Sequence, residues 1–370
     1  MYHRAHKIRM YPNKRQEAVL RQHLGAARFV YNWALATWNE QFAQHKLDHS
    51  VEKPNFVKIS RRWTQEHPEW AAGEACPRAI ASQALMCLNA AFTNFFRGTC
   101  KVPQFKKKKK KKKRPSGSFK VGNAHAKLYG HVINLPYAGR IRLAEELRFS
   151  GHIMGYTVSH NGAEWYVSVQ VDLEEDPRTA PTSTTPVGID VGISHPAVSS
   201  DGTTLDIPLK LKRLEQRKLR QQQALSRAQN GSHNSVKKLR SVQRTQAKME
   251  HIKQDQLHKF TSMVTKSHGT VVVEDLDLKA MMEDAPKHMR RCLSDSWMGT
   301  LHYMLGYKAQ RLVKVDRYFP SSKTCSGCGS IRQDLTLSDR TYICPNCGLS
   351  IDRDLNAAIN LMNTVGHTEL

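Results

Sequence analysis

Apolar residues recur along this chain at changing spacings. The opening stretch up to about Met10 is strand-like, and Tyr11-Pro12-Asn13 marks a turn. From Lys14 the apolar positions fall at Leu20, Leu24, Ala27, Tyr31, Leu35 and Trp38. That spacing predicts a helix, which Gly25 is expected to break in two. Residues 42–77 are polar and irregular, punctuated by Pro54, Pro68 and Pro77. A further helix is predicted where Ile80, Ala84, Leu88, Ala91 and Phe95 share one face, with Gly98 as its stop. Residues 11–100 thus read as a mostly helical module.

Beyond residue 120 the period shortens to two. Val132–Leu135, Arg140–Leu143 and Ile153–Val158 are short strands, and Asn161-Gly162 joins the last of them to Trp165–Val171. An Asn-Gly pair between alternating segments is a hairpin signal, because both residues tolerate positive φ. A small antiparallel sheet or barrel follows from this, ending in a Pro/Thr/Ser linker at 177–186. The grammar then becomes mixed. Val187–Ile193, Thr270–Glu274 and Leu312–Asp316 are strand candidates, with a hairpin at Asp201-Gly202. Residues 209–260 predict a long helical hairpin with Asn230-Gly231 near its tip. A last helix begins near Asp354, with Leu355, Ala358, Ile359 and Met362 as its apolar stripe.

Charge changes the picture. The 370 residues carry 57 Lys+Arg against 32 Asp+Glu, a formal net charge of +25, so a polyanionic partner is expected. Residues 101–120 hold 11 cations and no acid, including the run Lys106–Lys113 followed by Arg114. That run is a solvated loop, a phosphate attractor, or both. The 209–260 hairpin has 14 cations against three acids, which suits a helix pair lying along a nucleic-acid duplex. Candidate nucleic-acid contacts are Lys106, Lys107, Lys108, Arg114, Lys237, Lys238, Arg240 and Arg244. No run of 18 or more apolar residues occurs, and Met1–Lys7 lacks the apolar core of a signal peptide. The expectation is a cytoplasmic protein with no membrane partner, associated with the nucleoid when it acts.

Two clusters carry chemistry. Cys325-Ser326-Gly327-Cys328 and Cys344-Pro345-Asn346-Cys347 are separated by fifteen residues. Two such knuckles complete a tetrahedral S₄ site suited to structural Zn²⁺, with a rubredoxin-like iron or two redox dithiols as alternatives. The scattered Cys76, Cys87, Cys100 and Cys292 read as small packing residues. The second cluster is acidic. Asp190 interrupts an apolar strand, Glu274 ends another, and Asp352 and Asp354 stand at the start of the last helix. Taken singly, such acids are caps, turn residues or halves of ion pairs. Taken together, three carboxylates suit two Mg²⁺ ions in a ribonuclease-H-like phosphodiesterase site.

Several of these segments, in order, resemble the TnpB family of OrfB-type, transposon-encoded RNA-guided nucleases related to type V CRISPR effectors. They are Lys7–Gln16, Ala27–Leu35, Ala91–Phe96 with Val102–Lys106, Gly188–Ile193, Val273–Leu276, and the cysteine pairs followed by Asp352–Asn360. The resemblance implies a multidomain α+β chain. Residues 1–10 would be the first strand of a small antiparallel wedge β-barrel, 11–100 a helical recognition module, and 101–180 the rest of the barrel. A RuvC/ribonuclease-H-like α/β domain would span 186–320, a zinc ribbon 321–349 and the final RuvC helix 350–370. It implies catalytic, magnesium-holding roles for Asp190, Glu274 and Asp354, the last preferred over Asp352 because it stands two residues before Asn356. It also implies a guide RNA from the transposon end and double-stranded target DNA, read beside a short adjacent motif. A non-cutting RNA-guided repressor, a guide-independent resolvase or transposase, and a nucleic-acid packaging protein are the alternatives.

Overall fold

The computed structural model describes residues 2–71, 77–107, 117–176, 178, 180–193, 195–336 and 338–366. The chain divides into two compact units, one of Met1–Pro177 with Leu225–Ala247, the other of Arg178–Ala224 with Lys248–Leu370.

The first unit opens with β1 (Tyr2–Tyr11), whose alternate residues His6, Ile8 and Met10 are buried. Helix α1 (Lys14–Leu47) begins at Asn13, whose side chain accepts from the Gln16 N–H while the Gln16 side chain accepts from the Asn13 N–H. This reciprocal cap satisfies two N-terminal donors and fixes where the helix starts. The helix runs unbroken through Gly25, contrary to the sequence expectation. Leu20, Ala27, Val30, Tyr31, Ala34 and Leu35 are buried on either side of the glycine, and their burial outweighs its propensity cost of about 1 kcal/mol.

The irregular segment expected at 42–77 contains α2 (Phe56–Glu66) and the single turn α3 (Pro68–Ala71). Phe56, Ile59 and Trp63 of α2 lie at i, i+3 and i+7 and face the core, a short helical period among prolines that the expectation of an irregular segment missed. Helix α4 (Arg78–Phe96) follows, and Gly98 ends it at φ 72°. By length and composition α4 could cross a membrane, which a search for an unbroken apolar run misses. Its Ile80, Ala84, Leu85, Leu88 and Phe92 instead sit in the core of this unit with Val30 and Leu35 of α1.

The remaining strands are β2 (Gly117–Gly122), β3 (Lys127–Tyr129), β4 (Val132–Leu135), β5 (Gly139–Leu143), β6 (His152–His160) and β7 (Trp165–Leu173). They join β1 in an antiparallel sheet of order β2-β6-β7-β1-β5-β4-β3. The β6–β7 hairpin turns at Asn161-Gly162 as expected, with Gly162 at φ 97° and Asn161 Oδ1 accepting from the Ala163 and Glu164 N–H groups. Among the described residues the expected barrel is a half-barrel: β2 and β3 are its edges and do not pair with each other. Alternation reports which face of a strand is buried, whereas closure depends on whether the outermost strands meet.

The second unit is built on β8 (Ser183–Asp190), β9 (Ala197–Ser199) and β10 (Thr204–Leu205). Helix α5 (Leu209–Ser226) and helix α6 (His233–Ser267) carry the basic segment, with Gly231 at φ 82° between them, and residues 225–247 of it belong to the first unit. Then come β11 (His268–Glu274), α7 (Leu278–Asp284), α8 (Lys287–Asp295), α9 (Met298–Lys308) and β12 (Arg311–Val315). A short hairpin of β13 (Thr341–Ile343) and β14 (Ser350–Asp352) leads directly into α10 (Arg353–Gly366). The main sheet has order β10-β9-β8-β11-β12, with β8, β11 and β12 parallel and β9 antiparallel to β8. Val271, Val272 and Val273 are all buried, as expected of a parallel strand covered on both faces. The linker expected to reach residue 186 ends earlier, since β8 already begins at Ser183.

Candidate functional site

The acids converge at one end of the parallel strands. Asp190 is the last residue of β8 and Glu274 the last of β11, and the register pairs Val273 with Ile189 one position before each acid. Crevices beyond the carboxyl ends of such strands are where α/β sheets bind ligands. Asp354 comes from the first turn of α10, which lies directly on β8. A Cβ added to Gly188 would sit 2.0 Å from the Ala358 carbonyl oxygen and 2.6 Å from the Met362 nitrogen, so only glycine permits this approach.

Electrostatics reports the same convergence. Burial pushes the Asp190 carboxyl up to about 7, and the Glu274 and Asp354 charges push in the same direction, against the Arg353 guanidinium and the Val191 N–H. Arg353 Nη2 stands 3.2 Å from Asp354 Oδ1, with both side chains largely buried. A carboxylate crowded by two others and relieved by one cation is a site for added positive charge. The oxygen-only donor set suits a hard ion such as Mg²⁺. The three carboxylates are not gathered as tightly as ligands of one ion. Among the described residues, the group whose donor atoms all lie within 4.8 Å of one another is the four cysteines. Ligands shared by two ions about 4 Å apart span a wider site.

Asp352 and Asp354 differ in what they hold. Asp352 Oδ1 accepts from the Asp354 and Leu355 N–H groups, both at 3.0 Å, so it caps α10. The Asp354 charge acts on Asp190, while its Oδ1 accepts from Arg353. Glu274 Oε1 accepts a hydrogen bond from the Ser321 hydroxyl at 2.5 Å. Ser321, Arg353 and the buried Asn360 were not singled out from sequence. The signal available for the asparagines was a polar pair four residues apart, Asn356 and Asn360, inside the apolar stripe of α10.

The cysteines form two matching knuckles. Gly329 N–H donates to the Cys325 carbonyl at 2.9 Å, and Gly348 N–H to the Cys344 carbonyl at 3.0 Å, each glycine at φ 74°. Cys325 Sγ lies 3.6 Å from Cys347 Sγ, and Cys328 Sγ 3.6 Å from Cys344 Sγ. A disulfide needs about 2 Å, whereas tetrahedral Zn–S bonds set an S···S edge of about 3.8 Å. The backbone N–H groups of Cys347 and Asn346 hold the Cys344 thiol down to about 6, favouring the thiolate that a metal requires. The four-cysteine cluster can therefore hold a zinc ion. Tyr342 is buried behind it, and its hydroxyl donates to the Lys323 carbonyl at 3.1 Å. Of the scattered cysteines, Cys87 is partly buried, but Cys100 and Cys292 are exposed rather than packed. Cys76 lies outside the described residues.

The basic candidates divide. Lys106 Nζ sits 3.8 Å over the Tyr31 ring, and its backbone is clamped by the Asn32 side chain through two hydrogen bonds. Desolvation of its ammonium against the ring lowers the Lys106 pKa, although the residue as a whole is exposed. Lys107 and Lys237 are exposed, and Lys238 is partly buried. Lys108 and Arg114 lie outside the described residues. Arg240 and Arg244 are exposed on α6 and line a cleft of about 210 Å³ with Glu17, Arg21, His160 and Gly162.

Residues 168–285 match a family described as a probable transposase (OrfB_IS605), residues 299–361 a Cas12f1-like TNB domain, and residues 1–46 a helix-turn-helix domain. A Streptomyces pristinaespiralis protein named "Putative RNA-guided DNA endonuclease" is 34% identical over 97% of this chain and 88% of its own length. An Escherichia coli K12 protein of the same name, InsQ, is 30% identical over 99% of this chain and 93% of its own. In fold, the chain is similar to the Cas12f1 chain of a cryo-electron microscopy complex with sgRNA and target DNA. The TM-score there is 0.55 over 98% of this chain and 99% of that one, at 14% identity. With relatives this similar along almost its whole length, and with OrfB-type segments in order, the chain belongs to the TnpB family.

Proposed function

We propose that this protein is an RNA-guided DNA endonuclease that hydrolyses phosphodiester bonds at a RuvC-type site formed by Asp190, Glu274 and Asp354. The observation that carries the reading is the crowding of Asp190 by two acids from distant parts of the chain, at the carboxyl end of a parallel sheet. Divalent cations held by these three side chains would supply Lewis acidity for water attack on the phosphodiester. The chain's own contribution is to hold the carboxylates in place and oriented. Arg353 pairs with Asp354 at 3.2 Å, and Ser321 holds one oxygen of Glu274.

The cysteine knuckles would carry structural Zn²⁺, with no open position for chemistry. Because β14 runs straight into α10, a metal there would steady the helix that bears Asp354. The named activity of the bacterial relatives supports a guide RNA and double-stranded target DNA as partners, and a cytoplasmic place of action. The protein would read a short transposon-adjacent motif, and base pairing would read the rest.

The test is cleavage of a guide-matched duplex by the purified protein with its RNA and Mg²⁺. Asp190→Ala is expected to abolish cutting by at least 10³-fold while DNA binding by the RNA-loaded protein persists. Cutting retained in that variant would remove Asp190 from the site. Cutting without RNA would overturn guidance, and tight binding without cutting by the unaltered protein would overturn the nuclease reading.

A further inference from the structure

Glu274 is held from a direction that the three-acid pattern does not include. The Ser321 hydroxyl that donates to it belongs to a residue only 4% exposed, on the strap leading into the first knuckle. Ser321 is itself fixed. Its N–H donates to the Phe319 carbonyl at 2.8 Å, and its carbonyl accepts from Asn360 Nδ2 at 2.7 Å. Asn360, 5% exposed, also donates to the Thr324 carbonyl at 2.6 Å. One turn earlier on α10, the fully buried Asn356 donates to the same carbonyl at 2.7 Å and accepts from the Ser326 N–H at 2.9 Å. The two asparagines thus staple residues 321–326, including Cys325, to the helix that begins with Asp354. Glu274 and Asp354 come from different elements, yet both are referenced to α10. Asp354 is joined to it covalently, and Glu274 through Ser321 and Asn360.

We infer that Ser321 is a positioning residue for Glu274, seated by Asn360, so that the acid site takes its geometry from the strap that also carries the first cysteine pair. This rests on the reading of Glu274 as a divalent-cation ligand. A hydroxyl bonded to one carboxylate oxygen leaves the other to face the cation and stops rotation about the broad terminal torsion of the glutamate. Partners of this kind, when removed, typically cost about 10–100-fold in metal affinity or activity.

The experiment measures Mn²⁺ binding to the zinc-loaded full chain by electron paramagnetic resonance, alongside the Mg²⁺ dependence of cleavage. Ser321→Ala is expected to raise the Mn²⁺ Kd by about 10–100-fold. The Mg²⁺ concentration for half-maximal cutting should rise by a similar factor, with zinc content unchanged. Ser321→Thr keeps the hydroxyl and should restore Mn²⁺ affinity. An equal loss in Ser321→Thr would assign the effect to packing and overturn the proposal. Unchanged Mn²⁺ affinity in Ser321→Ala, while Glu274→Ala loses it, would overturn the positioning role and leave the acid site standing. Unchanged affinity in Glu274→Ala would bring down the acid-site reading, and this proposal with it.

Discussion

Asp190 is placed where folding opposes its ionisation. Its carboxyl is pushed up to about 7 by burial, then by Glu274 and Asp354, from an ordinary value of 3.8. The folded protein therefore binds this proton more tightly than the unfolded chain does. The associated stability is fully present below pH 3.8 and is lost as pH rises through about 7. Asp190→Asn has no charge to bury at any pH. In Mg²⁺-free buffer, it should exceed the unaltered protein in unfolding free energy by on the order of 2–4 kcal/mol at pH 8. The advantage should be much smaller at pH 5. Urea melts at the two pH values check this, and a gap independent of pH would contradict it. Saturating Mg²⁺ should close the gap at pH 8, because an ion that binds only the unaltered fold stabilises it by mass action.

Between elements, the decisive contact is α10 on β8. The atoms that a Cβ at Gly188 would meet are helix backbone, the Ala358 carbonyl and the Met362 nitrogen, and neither can swing aside as a side chain can. Gly188→Ala must therefore displace α10, and Asp354 with it. A shift of about 1 Å in a reacting group costs on the order of 10²-fold in rate, with about 1–3 kcal/mol lost to overpacking. Cleavage assays and thermal melts of the variant should show both. Gly25→Ala is the contrast, since nothing lies within 4 Å of its Cβ position, and it should stabilise α1 by up to about 1 kcal/mol. The same comparison shows what the sequence made legible. Buried strands announce themselves by continuous apolar residues, so β11 and the Glu274 that ends it could be read directly. Strand β8, expected at 187–193 with Asp190 inside it, instead spans Ser183–Asp190 and ends at that acid. The knuckles could be read directly too, since their spacing is local. Helix α2 also carried a period, at Phe56, Ile59 and Trp63, but only three positions long and set between prolines. Ser321 could not be read, because its bond to Glu274 spans 47 residues and depends on a strap with no repeating pattern. Half-barrel against barrel was equally hidden, since edge pairing leaves no mark on alternation.

Across the whole molecule, a net charge of +25 predicts strong, salt-sensitive binding to a polyanion, but not every cation contributes to it. Each phosphate neutralised adds about 0.7–0.9 to the slope of log K against log salt. Arg240 and Arg244 are exposed together at a polar cleft, beside an Arg21 already paired with Glu17. If both guanidiniums meet phosphates, the double variant Arg240→Ala/Arg244→Ala should lower that slope by about 1.4–1.8. The loss should be nearly uniform across guide or target sequences, because phosphate contacts carry no base information. Lys106 belongs to the same positive total, yet its ammonium is seated on Tyr31 and its backbone is tied to Asn32. Lys106→Ala should leave the slope unchanged and lower the melting temperature of the first unit, through the lost cation–π contact and exposed ring. Titrating binding from low to high salt for both variants separates the two kinds of cation. A slope change in Lys106→Ala, or none in the double arginine variant, would mean that the nucleic acid runs along a different face from the one the arginines mark.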